Sequence, residues 1–357
     1  MSNLADAENV VSRTNEFDEK GEERLYRSFR NFWHAVIYSH ELTDKPKAVM
    51  LCGEPLVVVR LGDEVCAFTD RCAHRGTPLS MGTVEGNELR CAYHGWQYNG
   101  AGHCTFIPQK PELSARLHAQ VRKYQVVERY GLVWVCLVDK PRLPLPEFPQ
   151  YDDARLGLVK RFLPTEDWNC SGPRRTENII DLGHFPILHD GVLGFRDKPQ
   201  VPEHRIWEDG EVLRMELVGR SFLMPNNPRY AALNLNSEVL NVHRQWRIFP
   251  PLTVLAEETG PGPDHVFCLF FHQTPLSATK MRDFFIIARN YLTEDSQMDK
   301  LVEFSQFISH QDKPVVEAQR PQQLSEDLSE ELHLKGVDTL SVLYRRRLIQ
   351  LANELQA

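Results

Sequence analysis

Cys72-Ala73-His74 and Cys91-Ala92-Tyr93-His94 each set one thiol beside one imidazole, and sixteen residues separate His74 from Cys91. A chain carrying two such knuckles is constrained to bring two loops together over one metal centre. Two centres use this ligand set. One is a [2Fe–2S] cluster in which two His replace two Cys on one iron. The other is a structural zinc ion. Zinc fingers usually put both Cys in one knuckle and both His in the other. Here each knuckle is mixed, an order suited to two loops of a small β-domain, each giving a Cys to one iron and a His to the other. Gly76 and Gly95 stand beside the ligands, where the backbone must turn tightly and approach the sulfurs. On the cluster reading, replacing thiolate by imidazole raises the potential by roughly a few hundred millivolts over an all-Cys cluster. Such a chain handles single electrons.

The second half holds another constellation: Glu177-Asn178-Ile179-Ile180-Asp181-Leu182-Gly183-His184, followed by His189. Two His and one carboxylate with open positions form the facial triad of mononuclear Fe(II) oxygenases. Asp181 and His184 stand at i and i+3, neighbours on one helical face. His184 and His189 are five apart, about 140° of rotation on a regular helix. Both reach one metal only if the helix widens or ends between them, and Pro186 between them favours such a break. A third ligand is expected from Phe304 to Asp312. Phe304, Phe307 and Ile308 form an apolar stripe, and Asp312 falls on its continuation at i+8. A carboxylate on a buried stripe needs a cation or donors to offset desolvation. Pro314 is expected to interrupt this helix. Glu317, Asp295 and Asp299 are weaker candidates, because nothing places them on an inward face.

The stretch Asp70-Arg71-Cys72-Ala73-His74-Arg75-Gly76, with Cys91-Ala92-Tyr93-His94-Gly95-Trp96-Gln97-Tyr98, resembles the Rieske domain of Rieske non-haem iron oxygenases. The resemblance continues through Ile107-Pro108 and Tyr130-Gly131-Leu132-Val133-Trp134 and covers most of the chain from about residue 30. It is to the terminal oxygenase alpha subunit, of the type without a small β subunit. It implies a Rieske [2Fe–2S] cluster on Cys72, His74, Cys91 and His94, and one mononuclear Fe(II) on His184, His189 and Asp312. Asp312-Lys313-Pro314-Val315-Val316-Glu317 resembles the segment that carries the family's carboxylate ligand. By the same resemblance Asp181 bridges subunits, accepting from His94 of a neighbour and from His184 of its own chain, within a ring-shaped homotrimer. Asn178 and Trp168-Asn169 resemble the family's surroundings of the iron. O₂ is the implied cosubstrate. A reductase with flavin and [2Fe–2S], with or without a separate ferredoxin, is the implied electron source. The chain has no G-x-G-x-x-G fingerprint, so NAD(P)H and flavin are expected on that partner.

At 357 residues one core is too few, and two domains are expected. The expected class is α+β: a small all-β Rieske domain plus a catalytic domain with an antiparallel sheet and helices, of helix-grip type. Residues 1–29 read as a polar segment and first helix. Residues 30–140 read as the Rieske domain, with runs such as Leu56–Val59, Val65–Phe68 and Leu132–Leu137. Residues 141–150 read as a Pro-rich, extended surface linker, and 151–357 as the catalytic domain. Within it, Val212–Val218 and Val266–His272 read as strands and Thr339–Leu355 as an amphipathic helix. A formal net charge of −8 argues against nucleic acid or anionic membrane as partner. No apolar run reaches membrane-span length, the polar, acidic start reads as no targeting peptide, and eight Cys in so long a chain read as no disulfide framework. Cys104 is expected to be a free thiol, not a ligand. A cytoplasmic location fits.

The resemblance implies hydroxylation, or oxidative demethylation of an O- or N-methyl group, on a small and often aromatic substrate. Ring dihydroxylation of an aromatic acid is the alternative. From another class, a Rieske electron carrier without oxygenase activity, or a metal-stabilised binding protein, remains open. Arg220, His243, Arg244 and Arg247 are candidate pocket cations, any of which could bind a carboxylate or sulfonate. Phe222, Leu223, Phe270 and Phe271 are candidate pocket walls.

Overall fold

The computed structural model describes residues 19–114, 116–218, 221–222, 227–233, 239–240, 242–260, 262 and 264–355. Among the described residues, six α-helices punctuate a series of antiparallel strands: α1 Glu19–Ser28, α2 Pro149–Asp152, α3 Gly172–Ile180, α4 Phe185–Leu188, α5 Asp295–Ala318 and α6 Thr339–Glu354.

The first half is built of three small sheets. Strands Lys47–Leu51, Glu54–Leu61 and Glu64–Thr69 form one. His34–Tyr38, Leu132–Cys136 and Gln125–Arg129 form a second. Thr83–Glu85, Glu88–Arg90, Gln97–Tyr98 and Cys104–Phe106 form the third. Side chains alternate across a strand, and the run Leu56-Val57-Val58-Val59 uses both faces. Val57 and Val59 enter a core with Phe68, Leu79, Trp96 and Tyr98 that also encloses Cys72 and Cys91. Leu56 and Val58 enter a larger core that continues into the second half through Leu163, Leu252, Phe271 and Tyr344.

The second half centres on an eight-stranded antiparallel sheet. Its long strands Val266–Ser277 and Lys280–Arg289 carry the continuous apolar runs Val266–Phe271 and Phe284–Ala288 because both faces are covered there. Phe267, Phe271, Phe285 and Ile287 face the helices. Cys268, Phe270, Phe284 and Ile286 face Trp134, Tyr38 and Phe148. The first half is stitched to this sheet by Cys52 N–H on Pro275 O at 2.7 Å and Gly53 N–H on Leu276 O at 2.9 Å. The Tyr38 hydroxyl adds 3.2 Å to Phe285 O.

Four local expectations are corrected. The Pro-rich segment is not wholly at the surface: Phe148 is fully buried and packs on Tyr130, Phe249 and Phe270. Helix α5 runs through Pro314 without a break. Its inward row is Met298, Leu301, Ser305, Ser309, Asp312 and Val316, while Phe307, expected inside, is 50% exposed. Asp312 is therefore buried on a row offset from the apolar stripe. Finally, Asp181 and His184 do not share one helix, since α3 ends at Ile180 and Asp181 is extended. All eight cysteines are buried and none is paired in a disulfide, Cys104 among them. Among the described residues no helix is long and apolar enough to cross a membrane.

Candidate active site

The two Cys/His knuckles fold into the same loop twice. Cys72 N–H donates to Thr77 O at 2.8 Å, and Gly76 N–H returns to Cys72 O at 2.9 Å. Cys91 N–H donates to Trp96 O at 2.8 Å, and Gly95 N–H returns to Cys91 O at 3.1 Å. The fifth residue of each loop must be left-handed, and Gly76 (φ 73°) and Gly95 (φ 71°) supply that at no Cβ cost. The loops set the two thiols against each other and the two imidazoles against each other. The His74 and His94 rings lie 4.5 Å apart, and His74 stacks on Trp96 at 4.6 Å. Tyr98 places its hydroxyl 3.1 Å from Cys72 Sγ while accepting from Ala73 N–H at 3.2 Å. His74 Nδ1 is buried without a hydrogen-bond partner.

The second constellation depends on helices ending at the right places. Pro186 sits in the first turn of α4, which is four residues long. His184 precedes that turn and His189 follows it, so both rings converge from the two ends of one helical turn. Helix α5 supplies Asp312 from across the site. One ligand atom each from His184, His189 and Asp312 can be chosen so that all lie within 4.8 Å of one another. Asp312 Oδ1 is 3.1 Å from His189 Nε2 and 3.5 Å from His184 Nε2. The other ring nitrogens are committed. His184 Nδ1 lies 2.9 Å from Asp181 Oδ2, and His189 Nδ1 lies 2.9 Å from Gln311 Oε1. Each acceptor orients its imidazole with Nε2 facing inward. His189 Nε2 is buried and makes no aligned hydrogen bond. Burial pushes the Asp312 carboxyl up, but the His189 ring, Arg175 and His184 outweigh it and hold the group at about 2. Burial also raises Asp181, and the hydrogen bonds from His184 and Gly183 bring it below the usual carboxylate range.

Asn178 joins this group, donating from Nδ2 to Asp312 Oδ1 at 3.2 Å and lying 3.5 Å from His184 Nε2. Trp168 is buried under the Arg175 guanidinium at 4.3 Å. The rejected carboxylates lie elsewhere. Glu317 accepts from Asn169 N–H at 2.8 Å, and Asp295 pairs with Arg161 at the surface.

The three converging side chains open onto a cavity of about 460 Å³ walled by Leu269, Phe271, Phe285, Phe304 and Ile308. Of the candidate pocket cations among the described residues, only Arg244 lines it, and its charge is taken by Glu258. Neither Arg247, which pairs with Glu257, nor His243, which pairs with Glu216, lines the cavity. Phe270 points to the opposite face of the sheet, as alternation requires. Arg220 and Leu223 lie outside the described residues, as does the side chain of Phe222. Four lining groups had no sequence signal as site residues: Arg175, Arg229, Tyr230 and Glu258. They come from three separate parts of the chain, Arg229 and Tyr230 being neighbours in one turn, and meet only in the fold. Arg229 stacks on Phe267 at 4.4 Å, with its Nε buried and unpartnered.

Comparison with known proteins agrees with this architecture. Residues 32–125 match the Rieske [2Fe-2S] domain, and residues 168–354 match the vanillate O-demethylase oxygenase C-terminal domain. The chain belongs to the Rieske oxygenases, as an alpha subunit: it is an iron–sulfur and iron enzyme, the oxygenase component of a multicomponent system. It is 31% identical to methylxanthine N1-demethylase NdmA of Pseudomonas putida, over 92% of this chain and 90% of that protein. It is 29% identical to the oxygenase component of dicamba O-demethylase from Stenotrophomonas maltophilia, over 81% and 87%. The structure of NdmA with caffeine superposes with a TM-score of 0.81 at 29% identity, covering 93% of this chain and 94% of that one.

Proposed function

We propose that this oxygenase oxidises a methyl group on a small, largely apolar ring compound and releases it as formaldehyde. The observation that carries this reading is the convergence of His184, His189 and Asp312 at one end of an apolar cavity. The residues fit the implied metals. His189 Nε2 and His74 Nδ1 are buried nitrogens with no hydrogen-bond partner, as suits atoms reserved for a metal. Cys72, Cys91, His74 and His94 would hold the cluster, and His184, His189 and Asp312 the ferrous ion. When bound, these groups pass electrons singly and activate O₂ for insertion into a C–H bond. The chain does the rest. Asp181 and Gln311 orient the imidazoles. The apolar walls admit the substrate and keep water from competing. At the polar end of the cavity, Arg229 Nε suits an acceptor oxygen on the substrate. The named relatives, N- and O-demethylases, support demethylation over ring dihydroxylation.

Electrons would come from NAD(P)H through a reductase carrying flavin and [2Fe–2S], with or without a ferredoxin, in the cytoplasm. The functional unit is a homotrimer in which Asp181 of one chain meets His94 of the next. Asp181 is one-third exposed, His94 is partly exposed and Tyr93 beside it is 62% exposed, so both ends of such a bridge reach the surface. The test is a substrate screen with a surrogate reductase, NADH and O₂, scored by formaldehyde and mass spectrometry. His184→Ala, His189→Ala and Asp312→Ala are each expected to keep the visible Rieske spectrum and form no product. An active, iron-replete Asp312→Ala enzyme would move the third ligand elsewhere.

A further inference from the structure

Asp312 has two carboxylate oxygens, and the fold treats them differently. Oδ1 faces the ring nitrogens of His189 and His184. Oδ2 accepts from Arg175 Nη1 at 3.0 Å. Arg175 itself has no slack. Its side chain is 3% exposed; Nε donates to Asp283 Oδ2 at 3.2 Å and Nη2 to Ser309 Oγ at 3.3 Å. Nη1 also donates to Asn178 Oδ1, and Trp168 covers the guanidinium. Asp283 is pinned in turn by Gln273 Nε2 at 3.0 Å. Turning Asp312 so that both oxygens face the histidines would strip a buried guanidinium of one of its two carboxylates, which a dry interior penalises.

Resting on the assignment of His184, His189 and Asp312 as ligands, we propose that Arg175 is a positioning residue that makes Asp312 a one-oxygen ligand. By engaging Oδ2, it would leave a bound metal one more coordination position for O₂ or substrate. Asp283 and Trp168 act through Arg175 and touch no reacting atom.

The test fills the mononuclear site of the full chain with Zn(II), leaving the Rieske cluster intact. Zinc-edge X-ray absorption then reads this site without interference from cluster iron. The distance from zinc to the carboxyl carbon is shorter when both oxygens bind. Wild type is expected to show two imidazoles and a one-oxygen carboxylate. Arg175→Met combined with Asp283→Asn removes both buried charges and is expected to shift the carboxylate to two-oxygen binding. Arg175→Lys, whose single ammonium stays with Asp283, is expected to shift it likewise; it carries the test if the double variant lacks the Rieske spectrum of a folded protein. A two-oxygen carboxylate in wild type, or a one-oxygen carboxylate in the folded variants, overturns the role of Arg175. A zinc site without two imidazoles overturns the ligand assignment instead.

Discussion

At the scale of single residues, Tyr98 and Gly194 make separable predictions about the two metal centres. The Tyr98 hydroxyl reaches Cys72 Sγ at 3.1 Å. Reduction adds negative charge to the cluster, so this hydrogen bond strengthens on reduction and raises the potential. If the gain is about 1 kcal/mol, Tyr98→Phe lowers the one-electron potential by about 40 mV. Protein-film voltammetry checks the shift, and an unchanged potential would remove Tyr98 from the tuning of the cluster. Gly194 acts through packing. A Cβ there would lie 2.7 Å from Pro186 Cα and 2.9 Å from Pro186 N, and backbone cannot step aside as a flexible side chain can. Pro186 lies in the turn between His184 and His189. Gly194→Ala is therefore expected to cost about tenfold or more in mononuclear iron affinity with the Rieske spectrum intact, measured as iron per chain. Arg229→Leu belongs at the same scale. It is expected to raise KM about tenfold for a substrate bearing a carboxylate or carbonyl, and much less for one without.

Between elements, the site is braced by charge as well as by apolar packing. Arg345 on α6 pairs with Glu177 on α3 and with Glu331 in the loop between α5 and α6, and Arg174 on α3 also reaches Glu331. Both Arg side chains are almost fully buried, so removing one leaves carboxylates without their cation. Arg345→Met is expected to destabilise by about 3 kcal/mol, read as a lower denaturant midpoint. The pH dependence has a definite sign. Burial raises the Glu331 carboxyl, but Arg174 and Arg345 more than offset it and hold the group at about 2. Its folded pKa lies below its unfolded value, so its stabilising effect is complete above about pH 5 and fades as pH falls toward 2. The Tm gap between wild type and Glu331→Gln should follow that course. Glu177 pulls the other way, because burial raises its carboxyl, so only the difference between the two proteins isolates Glu331. A gap that stays constant down to pH 2 would mean the pairing contributes nothing.

For the whole molecule, the prediction concerns electron flow between chains. Mixing a Cys72→Ser chain, which lacks the cluster, with a His184→Ala chain, which lacks the ferrous ion, should restore activity from two inactive parents. In the proposed trimer, one chain would supply the cluster and its neighbour the iron, in a ring that closes on itself. Asp181→Asn should keep both metals and slow the transfer from cluster to iron, since the bridge loses its charge. Mixed trimers that stay inactive, or an active monomer in sedimentation, would remove the intersubunit route.

What could be read from the chain itself was whatever local chemistry dictates. The paired Cys/His knuckles with their glycines, the His184 and His189 spacing around Pro186, and the strand runs are properties of neighbouring residues, so they are legible in order along the chain. The fold class and the family followed from them. The gaps have a physical pattern. Asp312 is legible as an inward-facing carboxylate, but the stripe offered for it includes exposed Phe307, because a long helix packed on one side buries a row that only its partners define. Asp181 and His184 were placed on one helix, because only the closed turn shows where α3 stops. Phe270 and Phe271 looked alike as pocket walls until the sheet, covered on both faces, sent them to opposite sides. Arg175, Asp283 and Gln311 were silent, since an ion pair between residues 108 apart in the chain, or a hydrogen bond between residues 122 apart, carries no local signal. Sequence alone determined which groups are present and how neighbouring ones are spaced. The tertiary structure decided which carboxylate oxygen faces the histidines and which faces a guanidinium, because that choice depends on elements meeting from distant parts of the chain.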